Sequence, residues 1–348
     1  MKIIVDAMGG DFAPQAQVEG ALQALTEFGI HSILVGKEDE IRTCITQLGH
    51  KELPKGIEIH HAAEVITMDD DPAEVIRKKK DSSLVVGLNL LKNGTGDAIV
   101  SAGNTGALLA GATLITKRIK GIRRAALSPI IPNKEGGALL LDCGANVDCT
   151  PEYLLQFAFM GSFYVEKALG RKTPRVGLLN NGTEDGKGTN LQLETYALLK
   201  TAHDAGQINF IGNVEARALL LGGVDVVVAD GFTGNILLKG IEGTAMFLMG
   251  EIKEVFMASG KSKFAALLVK SGLRGVKAKL DVSEIGGTAL LGITKPVIKA
   301  HGNSDAKTIR AAIGQAKQFA SSQIIGQIEQ NIDHITLKKE ITVECSEN

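Results

Sequence analysis

Ala98-Ile99-Val100-Ser101-Ala102-Gly103-Asn104-Thr105-Gly106 carries the pattern that decides the fold. A short apolar run, the length of a buried strand, gives way at once to a polar loop bearing glycine. From Thr105 to Lys117 the apolar residues then return at helical spacing. The same succession extends toward the N-terminus. Lys2 to Val5 reads as a buried strand and Gln15 to Phe28 as an amphipathic helix. Ser32 to Val35 is strand-like, Glu38 to Leu48 helical, Ile57 to His61 strand-like, and Asp71 to Lys92 one or two helices. Toward the C-terminus, Ala126 to Ile131 and Ala138 to Asp142 read as strands and Glu152 to Ala168 as a helix. Val176 to Leu179 follows as a strand and Asn190 to Thr201 as a helix. Phe210-Ile211 and Val224 to Ala229 are strand-like around a short helix, and the chain is then mostly helical to about Leu280. Such alternation implies βαβ units and a largely parallel sheet in an α/β protein. With no tandem repeat or low-complexity linker, residues 1–348 read as one interlocked domain.

Composition bounds the function. The chain has 348 residues, 44% of them hydrophobic, enough for a large core. Its 38 Lys and Arg against 39 Asp and Glu argue against a dedicated duplex-binding protein. Glycine, at 41 residues, is about 12% of the chain against a usual share of about 7%. Only 8 prolines and no Gly-X-Y period accompany it, which excludes collagen. No apolar run reaches the roughly 18 residues of a membrane span. Met1-Lys2-Ile3-Ile4-Val5-Asp6 lacks the long apolar stretch of a signal peptide. Cys44, Cys143, Cys149 and Cys345 form no Cys-x-x-Cys pair, so a reduced cytoplasmic setting is expected.

Much of the glycine follows strands. Five loops share a mixture of Gly with Asp, Asn, Thr and Ser: 6–11, 101–106, 142–146, 180–188 and 230–235. Ligands of open parallel sheets bind outside the carboxyl ends of the strands. Glycine lets backbone N–H groups approach a ligand, and a following helix adds a favourable dipole for an anion. Tight βα turns would explain any one such loop; five favour a shared site for phosphate or a developing oxyanion. The P-loop pattern and a Gly-x-Gly-x-x-Gly after the first strand are both absent, so ATPase and dinucleotide-binding readings lose support. Lys187 is the cationic member of the longest loop, and Arg77-Lys78-Lys79-Lys80-Asp81-Ser82-Ser83 is a second anion contact or a solvated helical face. No Gly-x-Ser-x-Gly elbow or His-Glu-x-x-His motif occurs. His60 and His61, adjacent in a strand, face opposite sides. Cys143 has no partner base and reads as a small buried residue. A reaction in which a substrate such as inorganic phosphate is the nucleophile fits this absence.

In these loops the sequence resembles the bacterial phosphate acyltransferases of the PlsX type. Asp6-Ala-Met-Gly-Gly-Asp11, Arg77-Lys-Lys-Lys-Asp-Ser-Ser83 and Ser101-Ala-Gly-Asn-Thr-Gly106 carry the likeness. Asp142-Cys-Gly-Ala-Asn146, Asn180-Asn-Gly-Thr-Glu-Asp-Gly-Lys-Gly188 and Asp230-Gly-Phe-Thr-Gly-Asn235 continue it in order. The resemblance implies a Rossmann-like three-layer α/β/α sandwich related to the phosphotransacetylase and isopropylmalate dehydrogenase group. It implies a homodimer and no redox cofactor or metal. The reaction implied is transfer of a long fatty acyl group from acyl carrier protein to inorganic phosphate. The acyl phosphate would feed a membrane acyltransferase that acylates glycerol 3-phosphate. On this reading Lys187 and Asn235 are the expected catalytic pair, stabilising the tetrahedral oxyanion. The expected substrate and phosphate contacts are Asp6, Gly9, Gly10, Asp11, Lys79, Ser82, Ser83, Asn104, Thr105 and Gly106. They continue through Asp142, Asn146, Asn181, Gly182, Thr183, Glu184, Gly188, Asp230, Thr233 and Gly234.

Two basic stretches suit the partners implied. Lys117 to Arg124 packs five cations into eight residues, with Arg118, Arg123 and Arg124 expected to dock the acidic carrier protein; a solvated helix end is the alternative. No aromatic interleaves this patch, and no nucleic-acid partner is expected. Lys253 to Leu280 carries seven cations and one acid, Glu254. Phe264, Leu267, Leu268 and Ser271 fall at helical spacing there, flanked by Lys263, Lys270 and Arg274. The helical segment at about 250–282 is expected to face anionic lipid, making the protein peripherally membrane-associated, or else to pack on the core or a dimer partner. Competing functions are an acyl-CoA:phosphate transferase, a decarboxylating dehydrogenase and a non-enzymatic membrane-recruited scaffold. The dehydrogenase would need a metal-binding carboxylate cluster and a nicotinamide site, and the scaffold leaves the five loops unexplained.

Overall fold

The computed structural model describes residues 1–280 and 286–336. Cys345 lies outside them, as do residues 281 and 282 and the side chains of Ser271 and Arg274. The strands are β1 (Lys2–Asp6), β2 (His31–Gly36), β3 (Ile57–His61), β4 (Ala98–Ser101), β5 (Ala126–Ser128), β6 (Ile130–Ile131), β7 (Ala138–Leu141), β8 (Arg175–Leu179), β9 (Asn209–Val214), β10 (Val226–Val228), β11 (Thr288–Leu291) and β12 (Val297–Lys299). The helices are α1 (Gln15–Phe28), α2 (Glu38–Gln47), α3 (Pro72–Lys78), α4 (Ser83–Lys92), α5 (Thr105–Gly111), α6 (Pro151–Ala168), α7 (Asn190–Asp204), α8 (Ala216–Leu221), α9 (Gly231–Met257), α10 (Gly260–Leu280), α11 (Ala306–Ser321), α12 (Ile324–Gln330) and α13 (Ile332–Ile335).

These strands form two sheets. One runs β3-β2-β1-β4-β12-β11-β5 and the other β6-β7-β10-β8-β9. Pairing is parallel throughout except at β11–β12, β11–β5 and β6–β7. The run Ala126–Ile131, read from sequence as one strand, is divided by Pro129, which has no N–H for a ladder. Residues before it join the first sheet and residues after it the second.

Alternation along the strands produces the layers. Ile3 and Val5 enter one core and Ile4 the other. Leu139 and Leu141 of the second sheet share the core of Ile3, and Leu140 shares that of Ile4. Both sheets are therefore covered on both faces, and the same two cores run beneath both of them. This is the three-layer α/β/α arrangement, with near-continuous apolar strands as burial on two faces requires.

Several sequence boundaries shift. Asp71–Lys92 is two helices, because Asp71 caps α3 and Ser82 caps α4 with their side-chain oxygens. The helix expected from Thr105 to Lys117 is α-helical only to Gly111. A π-helical turn, Ala112–Thr116, follows, and Lys117 then leaves the helix at φ 73°. The basic stretch beyond it is a loop rather than a helix end. The hairpin β11–β12 and helices α11–α13, in a region the sequence reading left unassigned, complete the first sheet and its outer layer. β12 inserts parallel to β4, pairing Lys299 with Ser101.

Helices α9 and α10 pack on each other and project from the core. Met246, Phe247, Val255, Phe264, Leu267 and Leu268 are exposed along them. The packing of this stripe on the chain's own core, one of the sequence alternatives, is not what the structure has. Among the described residues no helix is long and apolar enough to cross a membrane.

Candidate active site

The glycine loops do emerge at the carboxyl ends of parallel strands, and most of their polar side chains are occupied in holding those ends together. Asp6, at the end of β1, is 2% exposed. One of its oxygens accepts the Ser83 hydroxyl and the other the Ser101 hydroxyl, both at 2.6 Å. Burial raises its carboxyl pKa, opposed by these hydroxyls and by the charge of Lys299. Gly9 lies so close to the backbone of Gly103 that a Cβ there would come within 2.7 Å of the Gly103 nitrogen. Gln17 donates to the Gly9 carbonyl at 2.6 Å, and the Asp11 N–H donates to Gly302 O at 2.8 Å. The turn between them needs Gly10, at φ 109°.

Asn104 caps α5, its Oδ1 accepting the Ala107 N–H at 3.0 Å, while its amide donates to the Thr67 carbonyl at 3.2 Å. Gly106 packs against Pro72. Ser82 is buried and donates to the Lys79 carbonyl. The Lys79 ammonium is held by Asp70 at 2.7 Å and by the Val65 carbonyl at 2.9 Å. The expected phosphate contacts of this segment are thus inward or paired.

The second sheet repeats the arrangement. Asp142 is fully buried. It accepts the Leu127 and Cys143 N–H groups through Oδ1, and the Asn146 N–H and amide through Oδ2. Burial pushes this carboxyl up to about 6 despite the donors. Asp230 caps α9 by accepting both the N–H and the hydroxyl of Thr233. The first turn of α9 lies directly on the Asp142 loop, and a Cβ at Gly234 would overlap the Asp142 carbonyl oxygen. That packing brings Asn235 alongside Gly144, 3.6 Å from where its Cβ would sit.

Loop 180–188 stands apart. Asn181, Thr183, Glu184 and Lys187 are exposed. Asn180 ties the loop through the Lys187 carbonyl at 3.0 Å, Asn213 ties it through the Glu184 carbonyl at 2.8 Å, and Gly188 turns it at φ 96°. The stem of Lys187 lies over Gly182. No described hydrogen bond or ion pair joins Lys187 to Asn235.

The strand ends of the two sheets converge on a cavity of about 160 Å³. Thr105 enters from the start of α5, Cys143 from the loop after β7, Asn235 and Lys239 from α9, and Lys299 and His301 from the end of β12 and the loop after it. Among the described lining residues there is no carboxylate. Burial draws the Lys299 ammonium down to about 8, against the pull of Asp6 and Asp11. His301 is also lowered, by burial and by the charges of Lys299 and Lys239, with Glu242 opposing. Lys239 pairs with Glu242 at 2.7 Å. Burial, with Asp142 and Glu242 nearby, drives the Cys143 thiol well above its ordinary range, so it carries no thiolate for nucleophilic work. Lys299 and His301 escaped the sequence reading. Val297-Ile-Lys-Ala-His-Gly302 has the same strand-then-glycine form as the five recognised loops, and that form could have flagged them.

Outside the cavity, Arg118, Arg123 and Arg124 are exposed on the loop after the π-helical turn. Ile119 and Ile122 pin this loop to the core, and Arg124 lies over the Tyr153 ring.

Layers, sheet order and a site at converging strand ends define an α/β protein of the phosphotransacetylase fold. The structure of a phosphotransacetylase from Streptococcus pyogenes matches it with a TM-score of 0.61 at 21% identity, covering 92% of this chain and 94% of that one. Residues 1–327 match the family described as "Fatty acid synthesis protein". A phosphate acyltransferase of Clostridioides difficile is 49% identical over 334 residues, 95% of this chain and 96% of the relative. One of Bacillus thuringiensis is 49% identical over 330 residues, 94% and 97% of the two. The chain belongs to the phosphate acyltransferase family of the PlsX type and is an acyltransferase.

Proposed function

We propose that the protein transfers a long-chain fatty acyl group from acyl carrier protein to inorganic phosphate. The observation that carries this reading is the cavity. It joins strand ends of both sheets and offers cations and neutral donors to an anion in a chain of this family. A phosphate oxygen attacks the thioester carbonyl and forms a C–O bond. The tetrahedral oxyanion collapses, the C–S bond breaks, and the thiolate leaves and takes up a proton from water. A thiolate leaves readily, so the protein's work is positioning and stabilisation of charge. On this reading Asn235, which lines the cavity, donates to the oxyanion, and Lys187, exposed on loop 180–188, supplies a further cation.

The exposed arginines of the 118–124 loop suit an acidic carrier protein. The apolar stripe of α10, flanked by Lys263 and Lys270, suits an anionic membrane surface, where the downstream membrane acyltransferase would receive the product. A homodimer fits the same exposed hairpin. The test incubates the protein with phosphate and either long-chain acyl carrier protein or acyl-CoA, detecting acyl phosphate by mass. Acyl phosphate from the carrier-protein donor is expected, with at least about a tenfold lower kcat/KM in Lys187→Ala. Product from acyl-CoA alone would assign the donor differently.

A further inference from the structure

The ammonium of Lys299 is buried with few partners. Lys299 is only 8% exposed, and its one described hydrogen bond runs to the carbonyl of the next residue, Ala300. An ammonium has three donors. The nearest carboxylates do not neutralise it by contact: Asp6 spends both oxygens on Ser83 and Ser101, and neither Asp6 nor Asp11 forms a described ion pair with Lys299. A buried cation without a paired anion is costly and persists where something else supplies the charge. Lys299 lines the 160 Å³ cavity, with His301, Thr105 and Asn235 on the same wall space.

We infer that this cavity is the phosphate subsite, with the Lys299 ammonium as its anchoring cation and His301 and Thr105 as further donors. The inference rests on the proposed reaction for its ligand, an inorganic oxyanion, but assigns that ligand to residues outside the five glycine loops that first suggested a site, Thr105 excepted. The geometry separates two tasks. Lys299 is fixed by the sheet between β4 and β11, so it can hold phosphate in one place. Lys187, exposed on loop 180–188 outside the cavity, is left for the acyl donor. Asn235 lies at the cavity wall, where a carbonyl brought against bound phosphate would meet it.

Lys299→Met and His301→Gln test the assignment in the full-length chain. Methionine has a similar length and suits an apolar burial, so the first variant is expected to fold at least as well as the parent. The second variant, at the partly buried His301, covers the case in which the first does not fold. Inorganic phosphate should raise the unfolding temperature of the parent more than chloride at equal ionic strength, and this shift should vanish in Lys299→Met. The apparent KM for phosphate should rise about tenfold or more in Lys299→Met and about threefold in His301→Gln, with KM for the acyl donor within about twofold. A merely structural lysine would not split the two KM values. An undiminished phosphate shift in Lys299→Met, or a normal phosphate KM in His301→Gln together with Lys299→Met misfolding, would overturn the assignment. Acyl phosphate made with normal phosphate KM in both variants sinks the subsite and leaves the reaction standing. A Lys299-dependent phosphate shift without acyl phosphate does the reverse.

Discussion

Asp142, just after β7 in one sheet, and Lys299, closing β12 in the other, both stand buried at strand ends and differ in how their charges are met. Asp142, in a loop whose composition announced a site, accepts four close hydrogen bonds from its own chain and faces inward. Lys299, in a segment of the same strand-then-glycine form that lies outside the five recognised loops, donates to a single neighbouring carbonyl and lines the cavity. The difference shows that polar, glycine-rich loops at strand ends serve first to build the floor of a site. On the proposed assignment, the reactive positions are those whose donors the fold leaves unspent.

Three measurements probe that contrast. The largest effect is expected at Gly234, where there is no room for a side chain above the Asp142 carbonyl. Gly234→Val should cost more than about 3 kcal/mol or prevent folding, seen as lost yield and a collapsed thermal transition. A variant with parental stability would mean that α9 is not seated on this loop.

The second concerns the pH dependence of Asp142. Its folded-state pKa is raised to about 6 by burial. The protonated carboxyl therefore favours the fold below about pH 4, and that contribution, about 3 kcal/mol, is lost as pH rises through 6. Asp142→Asn should flatten this part of the stability profile. It should also be about 2 kcal/mol less stable at pH 5, because its amide turns a donor toward the Asn146 donors. An unchanged slope in denaturant titrations across pH 4 to 7 would assign the slope elsewhere.

The smallest effect is expected at Lys79. Its partner Asp70 and its own side chain are partly exposed. Lys79→Met should therefore lower stability by no more than about 1 kcal/mol and leave the phosphate KM within about twofold. A large rise in that KM would show that the Lys79–Asp70 pair opens to receive the anion, and would blur the line between floor and site.

The sequence made the fold legible where periodicity was long. Gln15–Phe28 and Ile57–His61 have the bounds read from apolar spacing alone. It misled where one residue broke a pattern, as Pro129 did by sending β5 and β6 to different sheets. It was silent where strands were three or four residues long and followed a helical hairpin, as β11 and β12 do. Residue type identified Asp6 and Asn104 as polar groups at strand ends and Ser83 as a further anion contact, but whether their partners came from the chain or from outside depended on contacts up to 95 residues apart. Lys299 was hidden for the same reason, since a lysine closing a short strand looks ordinary until the neighbouring strands bury it.

Helix α9 gives the molecule a stem. Its base is fixed by Gly231, Gly234 and Leu238, which are buried, and its 27 residues run out to the exposed apolar hairpin. At 1.5 Å per residue, Met257 is about 29 Å beyond Leu238. Asn235 lies between two of those anchors and so belongs to the seated end, while the apolar hairpin stands well clear of the cavity.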